Sequence, residues 1–325
     1  MNEKDIIQKE ILTPLINTIV LKEEPITQLV ISGGAIWGFS AFGAICEAAE
    51  KGLFDMKNIT AMYGTSVGAM VASVLAMKFD MDVYADYLIK RPWQKVWNID
   101  ITKVIGAYEN SGIYSRDFMC KFIQPFLLAR DLSIDINMLD FFKHTGVDLH
   151  IYVTEVNDFV CVDISHKTHP EWKLIDAVYA SCCLPVVFSP HIIEDKCYID
   201  GCFFSNYPID YCINNIGEEN KHRILGIYLL TYDVRNVQQK IQKTNMFDYL
   251  MQLMQKFLCH RVFSTFNNKM IDKSNILYDL TMPNGEITLE YCDALLNSRK
   301  EREECINKGK IIMSEFIHEK TKLLL

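Results

Sequence analysis

Residues 61–69 read Ala-Met-Tyr-Gly-Thr-Ser-Val-Gly-Ala, an apolar run that leads into a Gly-x-Ser-x-Gly pentapeptide. Such a pentapeptide is typical of a sharp turn between a strand and a helix, where small neighbours leave room for a serine at the edge of a sheet. Small residues continue after the turn, as expected for a closely packed helix. The pattern predicts that Ser66 is a nucleophile supported by Gly64 and Gly68, with an ordinary glycine-rich turn as the alternative.

A second glycine-rich turn lies earlier in the chain. Residues 28–32 form an apolar run, and residues 32–38, Ser-Gly-Gly-Ala-Ile-Trp-Gly, lead from it into a helical pattern. Backbone N–H groups at the start of a helix can bind an anion, and beside a serine nucleophile that anion would be the oxygen of a tetrahedral intermediate. The glycine spacing does not match the Gly-x-Gly-x-x-Gly of a dinucleotide cradle.

A serine nucleophile also needs a base. Residues 198–208, Tyr-Ile-Asp-Gly-Cys-Phe-Phe-Ser-Asn-Tyr-Pro, place the carboxylate of Asp200 on a glycine turn after a short strand. Asp-Gly is also a common turn without a catalytic role. Three histidines, His222, His260 and His318, are late enough for a Ser-Asp-His order, but none of them follows a strand in a recognisable loop.

Apolar runs and helical periodicity predict the secondary structure. Strands are predicted at 28–32, 60–63, 149–155, 160–164 and 223–232, the third and fourth as a hairpin. Besides the helices after the two glycine turns, helices are predicted at 82–90, 115–128, 173–182, 245–263 and 288–320. Residues 91–113 lack clear periodicity and are predicted to form a lid or an ordinary loop, and the charged run at 301–304 is predicted to be a solvated helix face. Strands interleaved with helices indicate a mainly parallel α/β sheet covered on both faces.

The domain organisation is read from the same pattern. We expect an amphipathic N-terminal arm (1–24), a catalytic core (25–235) and a mainly helical C-terminal region packed on the core (236–325). No Pro- or Gly-rich linker divides the chain.

Composition excludes several classes of protein. The chain has 325 residues, 50% of them hydrophobic, which is globular composition. Lys and Arg number 33 against 41 Asp and Glu, a net charge of −8 that argues against a nucleic-acid partner. The 11 cysteines include no Cys-x-x-Cys pair and no zinc pattern, and are expected to be buried thiols in a reducing compartment. We expect no metal and no other cofactor.

Location follows from the absence of targeting signals. The N-terminal residues carry charges of both signs without a long apolar run, so no secretory signal is predicted. The uncharged stretches 29–46 and 61–77 contain glycines and fit buried strand–turn–helix units better than transmembrane helices. We expect a protein of the cytoplasm, or one peripheral on membranes.

Four motifs in this order resemble the patatin-like phospholipases. They are the glycine run, the Gly-x-Ser-x-Gly, a segment at 180–185 similar to the family's Ala-Ser-x-x-x-Pro, and Asp200-Gly201 followed by Asn206 and Pro208. The resemblance covers about residues 28–210. It implies a three-layer α/β/α sandwich with a mainly parallel central sheet and a helical C-terminal extension. It also implies a Ser–Asp dyad that requires no histidine.

The resemblance implies a role for individual residues. Ser66 matches the family's nucleophile and Asp200 its general base. The backbone of Gly33, Gly34 and Ala35 matches the oxyanion hole. The motifs are supported by Gly38, Gly64, Gly68 and Gly201.

Three positions depart from the family's pattern. Ala35 replaces the third glycine of the run, Trp37 stands where a basic residue is usual, and Cys202 follows Asp-Gly where Gly or Ala is usual. Alanine still offers an N–H but restricts φ, which puts the shape of the oxyanion hole in question. The missing basic residue puts the catalytic efficiency or the preference for a lipid head group in question.

The implied function is a lipid acyl hydrolase of phospholipase A type. Its substrates would be phospholipids or related glycerolipids, reached during transient contact with a membrane surface. Two alternatives stay open: a catalytically silent lipid-binding or signalling module on the same fold, and a histidine-dependent esterase or acyltransferase.

Overall fold

The computed structural model describes residues 24–97, 101–229, 249–250, 252–254, 256–257, 276–277 and 289–323. Nearly all of the predicted N-terminal arm (1–24) and most of the predicted helix at 245–263 lie outside these residues. The division into arm, core and C-terminal region therefore stays a prediction.

Strands and helices alternate along most of the described chain. The strands are β1 (Gln28–Ile31), β2 (Ala61–Thr65), β3 (Gly112–Tyr114), β4 (Asp148–Glu155), β5 (Val160–Ile164), β6 (Val186–Phe188), β7 (His191–Ile193), β8 (Lys196–Asp200), β9 (Ile224–Ile227) and β10 (Ile276–Leu277). The α-helices are α1 (Gly38–Glu50), α2 (Val67–Leu75), α3 (Met81–Lys90), α4 (Ile101–Asn110), α5 (Arg116–Leu128), α6 (Met138–Thr145), α7 (Leu174–Cys182), α8 (Cys202–Ser205), α9 (Ile209–Ile216), α10 (Leu289–Asn297) and α11 (Arg299–Leu323). Short 3-10 helices form at Ala35–Trp37, Met56–Asn58, Trp93–Lys95 and Glu218–Arg223.

One mixed sheet organises these elements. Its strand order is β10-β9-β1-β2-β4-β8-β7, and β5 pairs with β4. The strands from β10 to β4 are parallel to one another, whereas β8, β7 and β5 are antiparallel to their neighbours. The short strands β3 and β6 form a separate parallel pair. The mainly parallel central sheet agrees with the predicted fold class.

Both faces of the central sheet are buried. Successive side chains of a strand point to opposite faces, so Leu29 and Ile31 contribute to a large apolar core and Val30 to a smaller one. Helices α1, α2, α5 and α7 contribute to the large core, and α9 contributes to the small one. The fold is therefore the three-layer α/β/α sandwich that the sequence predicts.

Most predicted elements agree with the structure. The five predicted strands are found as β1, β2, β4, β5 and β9, although β9 is shorter than predicted. The predicted C-terminal helix is divided into α10 and α11 at Ser298. Residues 91–113, predicted as a loop, include helix α4. Trp93 and Trp97 in this segment are buried, because their rings stack on aromatic neighbours in the core.

The two long uncharged stretches are strand–turn–helix units, as predicted. One consists of β1 and α1, and the other of β2 and α2. None of the helices in the described part of the chain combines the length and the apolar character needed to cross a bilayer.

The C-terminal helix α11 crosses α1 at backbone contact distance. A Cβ atom on Gly43 would lie 2.0 Å from the Ile306 carbonyl oxygen, and one on Gly309 would lie 2.0 Å from the Ser40 carbonyl oxygen. The Ser40 hydroxyl also donates to the Cys305 carbonyl at 2.8 Å. These reciprocal contacts hold α11 against the helix that follows the first glycine turn.

We predict that this crossing tolerates no side chain. Gly43→Ala or Gly309→Ala should lower the free energy of unfolding by about 1–3 kcal/mol, because the helices must move apart. Gly106→Ala in α4 is the matched control, since its Cβ would lie 3.7 Å from Asn110 Nδ2 and alanine favours a helix by about 1 kcal/mol over glycine. Urea unfolding measures all three. Equal stability of the Gly43 and Gly106 variants would contradict the prediction.

Candidate active site

The edge of β4 that faces β2 is shared by two strands. β5 occupies the opposite edge along residues 151–155. On the shared edge, β2 pairs with residues 148–152 and β8 with residues 153–155. Since β8 is antiparallel to β4 and β2 is parallel to it, the two strands run toward each other and end head to head.

The register of these strands sets the position of the site. Thr65, the last residue of β2, lies opposite Tyr152, and Asp200, the last residue of β8, lies opposite Val153. Consecutive Cα atoms are about 3.8 Å apart, so Ser66, which follows Thr65, starts close to Asp200. The two residues singled out by the sequence motifs are therefore brought together.

Ser66 occupies a strained turn. Its φ is 55° and its ψ is −127°, a conformation that non-glycine residues rarely adopt. The Ser66 amide donates to Ser181 Oγ at 2.9 Å, and the Ser181 hydroxyl donates to the Tyr152 carbonyl at 2.7 Å. Ser181, from the predicted Ala-Ser-x-x-x-Pro segment, therefore ties the turn to β4.

The flanking glycines make this turn possible. A Cβ on Gly64 would lie 2.6 Å from the Ala69 amide nitrogen, and one on Gly68 would lie 2.2 Å from the Ile31 carbonyl oxygen. Helix α2 can therefore begin directly against the ends of β1 and β2. A side chain at either glycine would therefore force this turn to move.

Asp200 is buried and has few polar partners. It is 1% exposed, its Oδ1 accepts from the Cys202 amide at 2.8 Å, and the Ser66 side chain lies near enough to affect its pKa. Burial raises the pKa of Asp200 from 3.8 to about 6, although the interactions with Ser66 and Cys202 oppose the increase. The carboxylate is thus a stronger base than an exposed aspartate.

Small and apolar groups surround this carboxylate. A Cβ on Gly201 would lie 2.2 Å from the Tyr152 carbonyl oxygen, so glycine is required where the turn passes β4. The thiols of Cys182 and Cys202 are buried beside Asp200, and burial raises the pKa of both well above the ordinary value. Cys202, which departs from the family's pattern, therefore adds no charge at neutral pH.

The first glycine turn faces Ser66. A Cβ on Gly33 would lie 3.2 Å from Ser66 Cβ and 2.4 Å from Asn206 Oδ1. The Gly33 amide donates to the Asn206 carbonyl at 2.9 Å. In this structure it is therefore not available to an oxyanion, which differs from the expectation of three amide donors.

The next two amides of this turn belong to Gly34 and Ala35. Within the described residues, neither amide has an acceptor. Ala35 has a φ of 46°, the left-handed conformation that a glycine would adopt easily. Replacement of the third glycine by alanine therefore leaves the turn intact at the cost of backbone strain, of about 1–3 kcal/mol.

The other two positions of this turn are held by packing. A Cβ on Gly38 would lie 2.3 Å from Val67 Cγ2, so the glycine lets α1 begin beside Ser66. Trp37, which replaces the usual basic residue, is buried and stacks on Tyr291 with ring centroids 5.0 Å apart. An apolar contact with α10 thus takes the place of a charge.

An apolar cavity of about 180 Å³ adjoins Ser66. Its aromatic lining residues are Phe39, Trp93, Trp97, Phe118, Phe122 and Phe188. Among the described lining residues, Ser66 alone has an oxygen in its side chain. Sequence reasoning did not identify this cavity, because its walls come from elements far apart in the chain.

His150 has its partners elsewhere in the fold. His150 lies between two carboxylates, with Nε2 3.3 Å from Asp148 Oδ1 and Nδ1 2.7 Å from Asp163 Oδ2. Burial acts to lower the pKa of His150, but the two carboxylates outweigh it and raise the pKa to about 9. Asp148 begins β4, so this cluster lies at the end of β4 away from Asp200. Throughout the described ranges no histidine is hydrogen-bonded to Ser66, and His260 lies outside them.

The described residues also contain no cluster of three or more His, Cys, Asp and Glu side chains arranged to hold a metal ion. What the described site does contain is a hydroxyl beside a buried carboxylate, two backbone donors and an apolar cavity.

Comparison with known proteins identifies relatives. Residues 29–213 match the family described as patatin-like phospholipase. The chain is 22% identical over 225 residues to the "Probable lipid hydrolase 463L" of Invertebrate iridescent virus 6, covering 69% of this chain and 76% of that protein. It is 24% identical over 260 residues to an uncharacterized protein of Acanthamoeba polyphaga mimivirus, covering 79% of this chain and 84% of that protein.

A solved structure is also similar. VipD from Legionella pneumophila matches with 16% identity and a TM-score of 0.45, covering 88% of this chain and 67% of that chain. The family match extends over more than half of the chain and includes both Ser66 and Asp200. This chain therefore belongs to the patatin-like phospholipase family, and the family and the viral lipid hydrolase support lipid hydrolase activity.

Proposed function

We propose that this protein hydrolyses fatty-acyl esters of phospholipids or related glycerolipids, with Ser66 as nucleophile and Asp200 as general base. The observation that carries the proposal is the position of the Ser66 side chain next to a carboxylate that is 1% exposed, beside an apolar cavity. A hydroxyl paired with a buried base is the arrangement that nucleophilic acyl transfer requires.

In the first half of the proposed reaction, Ser66 Oγ bonds to the carbonyl carbon of the ester and its proton passes to Asp200. A carboxylate with a pKa of about 6 accepts this proton more readily than one at 3.8. The amides of Gly34 and Ala35 donate to the developing oxyanion. The tetrahedral intermediate then breaks its bond to the alcohol oxygen, which takes the proton from Asp200 and leaves as the lysolipid.

In the second half, water attacks the acyl group on Ser66 and gives a proton to Asp200. The bond to Ser66 Oγ breaks, the serine recovers the proton, and the fatty acid is released. Both residues return to their starting states, so the cycle needs no histidine and no other proton acceptor.

The apolar cavity is the proposed site of the acyl chain. Each methylene that moves from water into it contributes about 0.8 kcal/mol, so long acyl chains should bind better than short ones until the cavity is filled. Such lipids reside in bilayers, and the proposed reaction therefore requires transient contact with a membrane surface.

We place this reaction in the cytoplasm or at its membrane surfaces. The support for this location is the state of the thiols: the cysteines of the described chain are free, six of them buried and none paired in a disulfide. Unpaired cysteines are typical of a reducing compartment.

The dyad can be tested by substitution. Ser66→Ala should reduce hydrolysis of a fluorogenic fatty-acyl ester to background, and Asp200→Asn should lower kcat/KM by about 10²–10⁴-fold, since only the base is lost. Asp195→Asn is the matched control, because Asp195 lies in the exposed turn before β8 and should keep wild-type activity. Wild-type turnover in Asp200→Asn would contradict the dyad and favour a histidine. Lipid binding without turnover in the wild type would favour the silent module.

The pH dependence provides a separate test. Asp200 accepts a proton only when ionised, so kcat/KM should fall about tenfold per pH unit below an apparent pKa near 6. The profile should be flat just above that value. A limb near pH 4, as for an exposed aspartate, would show that the catalytic base is not the buried carboxylate.

A further inference from the structure

An element outside the matched family region contributes to the apolar cavity. Cys292 and Leu296 of α10 line it one helical turn apart, whereas the other described lining residues lie between Ala35 and Phe188. The family match ends at residue 213. One wall of the cavity is therefore specific to the C-terminal part of this chain.

The first turn of helix α10 lies beside the first glycine turn, and the helix then continues along the cavity. Tyr291 stacks on Trp37 beside that turn, with ring centroids 5.0 Å apart. Leu296 follows five residues later, which places it about 7.5 Å further along the helix axis. Of the two α10 residues that line the cavity, Leu296 is therefore the one further along the helix from this ring contact.

Arg302 holds this end of α10 against α3. It is 4% exposed, although the charged run around it predicts a solvated position. Its guanidinium donates to the Leu296 carbonyl in the last turn of α10 and to the Ile89 carbonyl in the last turn of α3, the latter at 2.7 Å. Carbonyl groups at helix C-termini lack intrahelical partners and carry partial negative charge, so one buried cation satisfies two helix ends.

We infer that α10 sets the length of acyl chain that the site accepts, with Leu296 as the specificity-determining residue and Arg302 as the residue that positions it. This inference rests on the proposed function, because it assigns the apolar cavity to the acyl group. Leu88 of α3 lines the same cavity one residue before the carbonyl that Arg302 holds. By donating to both helices, Arg302 therefore holds the α3 side and the α10 side of the cavity in place.

Substitution of Leu296 tests the wall. Hydrolysis rates are measured for a series of p-nitrophenyl esters from butyryl to palmitoyl. Leu296→Ala should move the optimum to longer chains, and Leu296→Trp should lower kcat/KM for the longest ester relative to the shortest by about tenfold or more. Leu295→Ala is the matched control, since Leu295 is 1% exposed on the same helix but does not line the cavity. It should keep the wild-type ratio whatever its stability, and an unchanged ratio in Leu296→Trp would overturn the inference.

A binding measurement separates this inference from the proposed function. If the wild type hydrolyses no ester of any length, the proposed function fails. The role of Leu296 can then still be tested by binding. Saturated fatty acids of graded length displace a fluorescent fatty acid from Ser66→Ala, with and without Leu296→Trp. Loss of affinity confined to the long fatty acids supports the inference, and equal affinities contradict it.

Arg302 is tested by its effect on selectivity rather than on activity alone. Arg302→Met should broaden the chain-length profile, reducing the long-to-short discrimination by about tenfold, because α10 and α3 are released from each other. Arg302→Lys should restore part of the discrimination, and Arg299→Met, at an exposed position on the same helix, should leave it unchanged. A uniform loss of activity on all esters in Arg302→Met, with the profile retained, would contradict the positioning role.

Discussion

β2 and β8 approach each other along one edge of β4, and the hydrogen-bond register of that edge determines where both strands end. Thr65 stops opposite Tyr152 and Asp200 stops opposite Val153, so the serine that follows β2 and the carboxylate that ends β8 become neighbours. A shift of either strand by one residue would turn its side chains to the other face of the sheet. Sheet pairing thus joins two groups that are far apart in the chain. The hydrogen bonds from the Ser66 amide to Ser181, and from Ser181 to the Tyr152 carbonyl, hold the turn at the same place on β4.

The same geometry excludes water from the carboxylate. Asp200 lies beneath the Ser66 turn, with thiols and glycine around it, and burial rather than a neighbouring charge raises its pKa to about 6. A buried carboxylate with so few partners, like the positive φ of Ser66 and Ala35, destabilises the fold. Strain and unpaired charge of this kind are typical of functional sites. The C-terminal helices add to the apolar surroundings of the site. Helix α11 packs on α1, and α10 lines part of the apolar cavity.

Short sequence patterns are sufficient to predict the parts of the site that depend on local structure. A serine in a sharp turn needs Gly64 and Gly68 whatever the rest of the fold, so their spacing identified the turn. The contact between Ser66 and Asp200 depends on long-range register and could be expected only from the resemblance to a family. The Gly33 amide was expected to be free, but its acceptor is the backbone of Asn206. Arg302 could not be distinguished from a solvated charge, because its acceptors belong to α3 and α10.

We propose that the fold activates Ser66 by bringing Asp200 to it. Peptide-mapping mass spectrometry after reaction with a fluorophosphonate, which bonds covalently to an activated serine, measures this directly. We predict a single adduct on the peptide that contains Ser66 in the native protein, and no adduct after heat denaturation. An adduct on a different residue, or equal labelling of the native and denatured chains, would contradict it.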